Sequence, residues 1–163
     1  MNIHEYQAKK LLAEHGVMTL PGQVAFSVDE AVTAAEKMGG HLWVVKSQIH
    51  AGGRGAGHFK DDAQGGGGVR IATSLGDVKT HAQAMLGNIL VTKQTGPAGK
   101  QVKRLFVEQG CDIDRELYLS LVLDRTTSTI TVIASGDGGM NIETLAEEQP
   151  EKVATIHINP ASG

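Results

Sequence analysis

The chain alternates between stretches whose apolar residues recur at helical spacing and shorter stretches that are apolar almost throughout. Three stretches of the first kind begin with a small polar residue three positions before an acidic one, as in a capping box, and end at glycine. The predicted helices run from Asn2 with Glu5 to Gly16, from Ser27 with Glu30 to Gly39, and from Ser74 with Asp77 to Gly87. The apolar stripe of the first helix consists of Ile3, Tyr6, Leu11 and Leu12.

Five shorter apolar stretches predict β-strands. They are HLWVVKSQI (41–49), ILVT (89–92), RLFVEQ (104–109), ELYLSLVLD (116–124) and TITVIAS (129–135). The last two are separated by RTTS, so we expect them to pair as an antiparallel hairpin. Helices that alternate with strands, followed by antiparallel strands, predict an α+β fold with mixed α/β layers.

The first of these strands carries one charged side chain. Side chains alternate along a strand, so Trp43 and Val45 face one way. Val44 and Lys46 then face the other way, and Lys46 projects from a half-apolar surface. Because desolvating an unpaired ammonium is costly, we expect an anion beside Lys46.

The segment after this strand, HAGGRGAG (50–57), favours a phosphate-binding loop. Gly53 and Gly55 flank Arg54 and let the backbone come close to a ligand. Free N–H groups and a guanidinium fork both donate to oxyanions, so the loop and Lys46 together suit a polyphosphate. A flexible connector beside a solvated lysine is the alternative. The P-loop pattern is absent, and His58 stands where G-x-G-x-x-G needs its last glycine, so neither a P-loop nor a Rossmann site is expected.

Composition narrows the class of function. The 163 residues carry 15 basic and 18 acidic side chains, a formal net charge of −3, so no broad positive field exists to hold a nucleic acid. No stretch reaches membrane-spanning length, and we expect no membrane partner. The opening MNIHEYQAKKLL lacks the features of a targeting signal, which predicts a cytoplasmic location.

The cysteine and histidine residues offer little catalytic chemistry. Cys111 is the single cysteine, so no internal disulfide forms, and no adjacent lysine or fixed histidine indicates a nucleophilic role. The seven histidines show no metal-ligand spacing. His50 abuts the glycine-rich loop, and we interpret it as a loop residue rather than a catalyst.

Four motifs in order carry a resemblance to a known family. They are MNIHEYQAKKLL, WVVKSQIHAGGRG, VEQGCDIDRELYL and GGMNIE. The chain resembles, over nearly its whole length, the N-terminal portion of the β subunits of succinate–CoA ligases, which are ATP-grasp enzymes. The resemblance implies that residues 1–163 form a partial ATP-grasp domain with a leading helix in 1–20 and sub-lobes in 21–104 and 105–163. Residues 58–68 resemble part of a longer loop found in one branch of the family.

The resemblance assigns phosphate binding to the residues that the pattern singles out. Lys46 matches the strand lysine that contacts nucleotide phosphates in the family. Gly53, Arg54 and Gly55 match the loop that closes over them. ATP or ADP is therefore the implied nucleotide.

The resemblance also assigns the base and the ribose. Glu108 matches a hinge residue whose backbone carbonyl accepts from the adenine amino group, and Cys111 matches a backbone contact to the base edge. Glu116 resembles the carboxylate that accepts from both ribose hydroxyls. Guanine-using relatives carry a glutamine at the position of Leu20, so adenine is favoured.

The implied reaction is ATP + succinate + CoA giving ADP, phosphate and succinyl-CoA, a step of the citric acid cycle. The family's phosphohistidine lies on a separate α subunit, so no catalytic residue is expected in this chain, and the implied assembly is a heterodimer or heterotetramer. Succinate and CoA would bind at the subunit interface. Mg²⁺ would be held by residues beyond position 163, and we expect the 163 residues alone to be inactive.

Two alternatives stay open. The chain could belong to another acid–thiol ligase, such as malate–CoA ligase or the amino-terminal part of ATP-citrate lyase, because nothing in it recognises the acid. It could also be a non-catalytic assembly module that keeps the fold. The joint presence of Lys46, Glu108 and Glu116 argues against the second alternative.

Overall fold

The computed structural model describes residues 2–62, 65–139 and 142–162. Ala63 and Gln64 of the 58–68 loop, and Met140 and Asn141 of the GGMNIE motif, lie outside the described residues. The helices are α1 (Glu5–Glu14), α2 (Val28–Met38), α3 (Leu75–Met85) and α4 (Ile142–Glu148), with a 3₁₀ turn at Pro150–Lys152. The strands are β1 (Gly22–Ala25), β2 (Trp43–Ser47), β3 (His58–Phe59), β4 (Val69–Ala72), β5 (Ile89–Val91), β6 (Lys100–Gln101), β7 (Leu105–Gln109), β8 (Tyr118–Asp124), β9 (Thr129–Ser135) and β10 (Val153–Ile158).

The chain divides into two compact units, Met1–Cys111 and Asp112–Gly163. Each contains its own antiparallel sheet, and the mixture of helices and sheets confirms the α+β class. The sub-lobe boundaries at 21–104 and 105–163 stay a prediction. No helix among the described residues is long and apolar enough to cross a membrane.

The main sheet of the first unit has the strand order β1-β7-β2-β4, and every pairing is antiparallel. Trp43 and Val45 of β2 are buried on one face, as predicted. That face packs against α2 and α3 through small and medium side chains, which let the helices approach the sheet closely. The buried helix residues are Ala31, Ala34, Ala35, Val78, Ala82 and Met85.

The N-cap bonds predicted at Ser27 and Ser74 are confirmed, and the reciprocal bond that completes a capping box forms at Ser74. Ser27 accepts a hydrogen bond from the Glu30 N–H at 3.1 Å, and Ser74 accepts from the Asp77 N–H at 3.0 Å. The predicted box at Asn2 is wrong. α1 begins after His4, whose N–H donates to Oε1 of Gln7 at 2.8 Å.

The first helix contributes no fully buried side chain. Leu11 and Leu12, predicted as part of an apolar stripe, are each 48 % exposed. α1 lies over the second face of the main sheet, where the Tyr6 ring is tilted against that of Phe106 with centroids 6.5 Å apart. Its polar residues therefore hold it in place more than its apolar ones do, and they define the site described below.

A smaller sheet of order β3-β5-β6 completes the first unit. β5 was predicted from ILVT, and its central Leu90 is fully buried beside Phe59 of β3. Gly57, at the start of β3, approaches β5 so closely that an added Cβ would lie 2.6 Å from the Val91 carbonyl oxygen.

The second unit is built on the sheet β10-β9-β8. β8 and β9 form the predicted hairpin, and its turn ends at Ser128, which has a φ of 55°. Lys152 pairs with Asp137 at 2.9 Å. Along β8, Leu119, Leu121 and Leu123 are exposed.

Candidate functional site

Lys46 lies on the face of the main sheet that α1 covers. Within the paired strands Lys46 stands opposite Phe106, and Glu108 stands opposite Val44. Because side chains two positions apart share a face, Lys46 and Glu108 project on the same side. The side chain of Lys46 is 18 % exposed, so most of it is removed from water.

Five charged side chains form one ion-pair network on this face. Glu5 of α1 accepts from Lys46 Nζ through Oε1 at 2.9 Å and from Arg54 through Oε2 at 2.8 Å. Glu108 accepts from Lys46 through Oε2 at 2.5 Å and from Lys9 through Oε1. Three cations against two carboxylates leave one positive charge, so the network favours a further anion.

Burial makes this network electrostatically strong. The Glu108 carboxylate is only 3 % exposed and that of Glu5 is 20 % exposed. Burial alone would raise the pKa of Glu5, but hydrogen bonds and charge from Lys46 and Arg54 outweigh it and lower the pKa to about 2. Burial likewise disfavours the charged Lys46, but Glu108 and Glu5 outweigh it and raise its pKa. Glu5 and Lys46 therefore both remain charged near neutral pH.

The glycine-rich loop is anchored at Arg54. The guanidinium donates to the Ser47 carbonyl at 2.6 Å, and the Arg54 carbonyl accepts from the Gly57 and Gly68 N–H groups at 3.2 and 2.8 Å. Gly53 has a φ of 70°, a backbone conformation that residues other than glycine rarely adopt. The loop is thus tied to the end of β2 rather than being a free connector.

An open cleft of about 490 Å³ lies beside this loop. Glu5, His50, Gly52, Arg54 and Gln94 line it, and the Gly52 N–H donates to Oε1 of Gln94 at 2.7 Å. Its volume falls within the ~300–1,000 Å³ of ordinary ligand pockets.

The structure brings some of the predicted site residues together. Lys46 and Arg54 meet on one carboxylate, and Gly53 and Gly55 flank Arg54 in the anchored loop. The Glu108 side chain joins them directly, although the prediction concerned its backbone.

Two predicted residues are not members of this network. Cys111 is an exposed free thiol at the end of the first unit. Glu116 belongs to the second unit, where its carbonyl accepts from the Gly138 N–H at 2.9 Å. The nucleotide contacts assigned to these and the other site residues stay predictions.

Sequence reasoning missed Glu5 and Lys9 as members of the site. Glu5 was interpreted as a capping residue, yet its carboxylate is held by two cations, which explains why Gln7 caps α1 instead. The available signal was Lys46 itself, since a half-buried lysine requires an anion. The anions that the structure supplies are the carboxylates of Glu5 and Glu108.

The described residues contain no group of three or more metal-ligating side chains placed to hold an ion. Within the network both carboxylates are already engaged by lysine and arginine.

Comparison with known proteins identifies close relatives. The ATP-grasp domain family matches residues 2–163. The chain is 60 % identical over 163 residues to the ADP-forming succinate–CoA ligase subunit beta of Paramagnetospirillum magneticum, and 62 % identical to that of Acidiphilium cryptum. Each alignment covers all of this chain and 41 % of the relative, so the chain spans about two-fifths of the length of these curated relatives.

Solved structures share the fold at low sequence identity. ATP citrate lyase from Methanothrix soehngenii, in complex with citrate and coenzyme A, matches with a TM-score of 0.66 and 19 % identity, covering 99 % of this chain and 35 % of that one. A dinucleotide-forming acetyl-coenzyme A synthetase from Ca. Korarchaeum cryptofilum matches with a TM-score of 0.61 and 19 % identity, covering 94 % and 58 %. At such identities the likeness concerns the fold alone.

Proposed function

This chain belongs to the ATP-grasp domain family, and we propose that it is the nucleotide-binding part of an ADP-forming succinate–CoA ligase β subunit. The resemblance inferred from four sequence motifs is confirmed by the relatives that match the whole chain. The observation that carries the proposal is this identity of about 60 % over the whole of the chain.

The network geometry supports a phosphate-binding role for Lys46 and Arg54. Both cations face one carboxylate, from a strand and from a glycine-rich loop respectively. A polyphosphate that displaced that carboxylate, or bound beside it, would meet the Lys46 ammonium and the planar Arg54 guanidinium. The ammonium suits single contacts to oxygen, and the guanidinium suits bidentate contacts. Glu108, Cys111 and Glu116 would then serve the adenine and the ribose.

In the proposed reaction this chain contributes positioning and charge. A carboxylic acid is a poor acyl donor until a phosphoryl group converts one of its oxygens into a leaving group. Phosphoryl transfer requires in-line geometry and stabilisation of charge on the moving oxygens. Lys46 and Arg54 would hold the phosphates, and the half-buried environment of β2 would strengthen both interactions by limiting water. Mg²⁺, bound from outside the described residues, would supply further charge neutralisation.

We propose that the remaining parts of the enzyme lie outside these 163 residues. An α subunit would carry the phosphorylated histidine, and succinate and CoA would bind where the two subunits meet. We propose a cytoplasmic location. We expect the 163 residues alone to bind nucleotide but not to complete the ligation. Mixing the chain with an intact α subunit, ATP and Mg²⁺ should leave the α histidine unphosphorylated, and phosphorylation there would contradict this expectation.

Calorimetric titration with ADP tests the nucleotide site. Lys46→Ala should weaken ADP binding by at least about tenfold, because it removes a charge-assisted contact. Lys79→Ala is the matched control, since Lys79 is exposed on α3. Circular dichroism would verify that both variants are folded. Equal binding heats for wild type and Lys46→Ala would favour the non-catalytic assembly module.

The acid substrate needs a separate assay. A complete heteromer supplied with succinate, malate or citrate, together with CoA and ATP, should release phosphate fastest with succinate. Faster turnover of malate or citrate would reassign the chain to another acid–thiol ligase while leaving the nucleotide site unaffected.

A further inference from the structure

A second, smaller cleft of about 170 Å³ lies beside the first, and Ile49 and His50 line both. We call it the basic cleft, and its charged or titratable lining residues are His4, His50, Lys100, Lys103 and Arg104. None of its lining residues is acidic. The cleft lies wholly within the first unit, and the reaction proposed above makes no use of it.

The cations of the basic cleft have no acidic partners among the residues that the structure describes. Lys100, Lys103 and Arg104 form no salt bridge with any carboxylate in the described part of the chain. Arg104 stacks over the Phe26 ring at 5.5 Å, a contact that fixes the guanidinium and leaves its charge uncompensated. The nearest acid in sequence to His4 is Glu5, which is engaged by Lys46 and Arg54.

Two histidines complete the wall of the basic cleft. The rings of His4 and His50 stack with centroids 4.0 Å apart and planes 16° from parallel. The His4 side chain faces the Gln7 N–H at the start of α1, and its buried Nδ1 makes no hydrogen bond of good geometry with the described residues. Burial, and then the positive charges of His50, Arg104 and Arg54, lower the pKa of His4. A buried imidazole nitrogen without a partner can accept a hydrogen bond from a protonated oxygen of an anion, and the surrounding positive charges would attract that anion.

The dimensions of the basic cleft restrict the ligand. Its 170 Å³ corresponds to about six water molecules at ~30 Å³ each, well below the ~300 Å³ of the smallest ordinary ligand pockets. A nucleoside does not fit, whereas one tetrahedral oxyanion does. We propose that the basic cleft binds a single phosphate-type anion, held by Lys100, Lys103 and Arg104 against the His4–His50 pair.

Phosphate titration followed by NMR tests the proposal. The probe is inorganic phosphate at constant ionic strength, added to the 163-residue chain in the presence of saturating ADP so that the proposed nucleotide site is occupied. The ring-proton signals of His4, which lines only the basic cleft, should shift and saturate. Acetate, titrated in the same way, distinguishes a phosphate site from a general carboxylate site, and we expect it to bind more weakly.

Matched charge-removal variants complete the test. Lys103→Gln combined with Arg104→Gln should weaken phosphate binding by about tenfold or more. Lys37→Gln combined with Lys79→Gln removes the same charge from α2 and α3 and should leave the titration unchanged. Histidine signals that do not respond to phosphate in wild type, or equal weakening in both double variants, would overturn the proposal. Melting curves would verify that each variant is folded.

Discussion

Glu5 and Lys46, 41 residues apart in the chain, form a half-buried ion pair of 2.9 Å. The pair joins the leading helix to the strand that carries the proposed phosphate-binding lysine. Glu5 uses its other oxygen for Arg54, so a single carboxylate orients both proposed phosphate ligands. The charge that a phosphate would meet is therefore already arranged by the protein.

The first prediction concerns acid stability. The folded-state pKa of Glu5 is about 2, below its ordinary value of 4.5, so its ionised form stabilises the native state above about pH 4.5. This contribution should disappear as the pH falls from about 5 toward 2. Urea unfolding between pH 7 and pH 3 should show a smaller acid-induced loss of free energy of unfolding in Glu5→Gln than in wild type.

The control for acid stability is Glu36→Gln, because Glu36 is exposed on α2. Its pH dependence should follow that of the wild type. Identical acid profiles for Glu5→Gln and wild type would show that the ion pairs of Glu5 do not stabilise the fold.

The second prediction contrasts a buried and an exposed carboxylate. Glu108 is 3 % exposed between Lys9 and Lys46, so Glu108→Gln leaves two ammonium groups with less compensation and should cost about 3 kcal/mol or more. Glu14 pairs with Lys10 at 3.9 Å on the surface, and Glu14→Gln should cost less than about 0.5 kcal/mol. Denaturant midpoints measure both, and equal costs would contradict the burial of Glu108.

The third prediction concerns the anchor of the glycine-rich loop. Arg54 donates from two different nitrogens to the Ser47 carbonyl and to Glu5. Arg54→Lys keeps the charge but loses the planar fork, so one of the two contacts should be lost. Hydrogen exchange at Gly52 through Gly57 should become faster, and ADP should bind several-fold more weakly. Unchanged exchange would mean that the backbone bonds alone hold the loop.

The fourth prediction compares two glycines. Gly57→Ala places a Cβ 2.6 Å from the Val91 carbonyl oxygen and should destabilise the fold by about 1–3 kcal/mol, because backbone must shift. Gly76 lies near the start of α3 with only the Ser74 hydroxyl nearby, at 3.5 Å. Gly76→Ala should raise stability by up to about 1 kcal/mol. Thermal melting of both variants provides the comparison, and opposite signs are required.

Local patterns predicted the fold where local forces decide it. The caps at Ser27 and Ser74 and the hairpin of β8 and β9 depend on neighbouring residues and were predicted correctly. β1, β3, β4, β6 and β10 were missed. For β1 and β4, pairing with β7 and β2, which are distant in sequence, makes the segments strands. The start of α1 was misplaced because a distant pair of cations holds the carboxylate expected to cap it.

The sequence predicted the kind of site better than it predicted which residues form the site. The alternation of β2 and the general cost of an unpaired lysine predicted an anion at Lys46. Which anion it would be depended on contacts spanning 41 and 62 residues, which no local pattern contains. Arg54 was identified from its glycine-rich surroundings. Nothing in the sequence distinguished Lys9 from the other charged residues of its helix.

The attachment of α1 has a consequence for solution conditions. A helix without a fully buried side chain, held mainly through Glu5 and Lys9, is fastened by charge rather than by exclusion of water. Because these pairs are mostly shielded from water, sodium chloride should screen them only weakly, and α1 should stay docked at salt concentrations that abolish an exposed pair such as Lys10 with Glu14. The leading segment is therefore held by charges that the surrounding electrolyte hardly reaches.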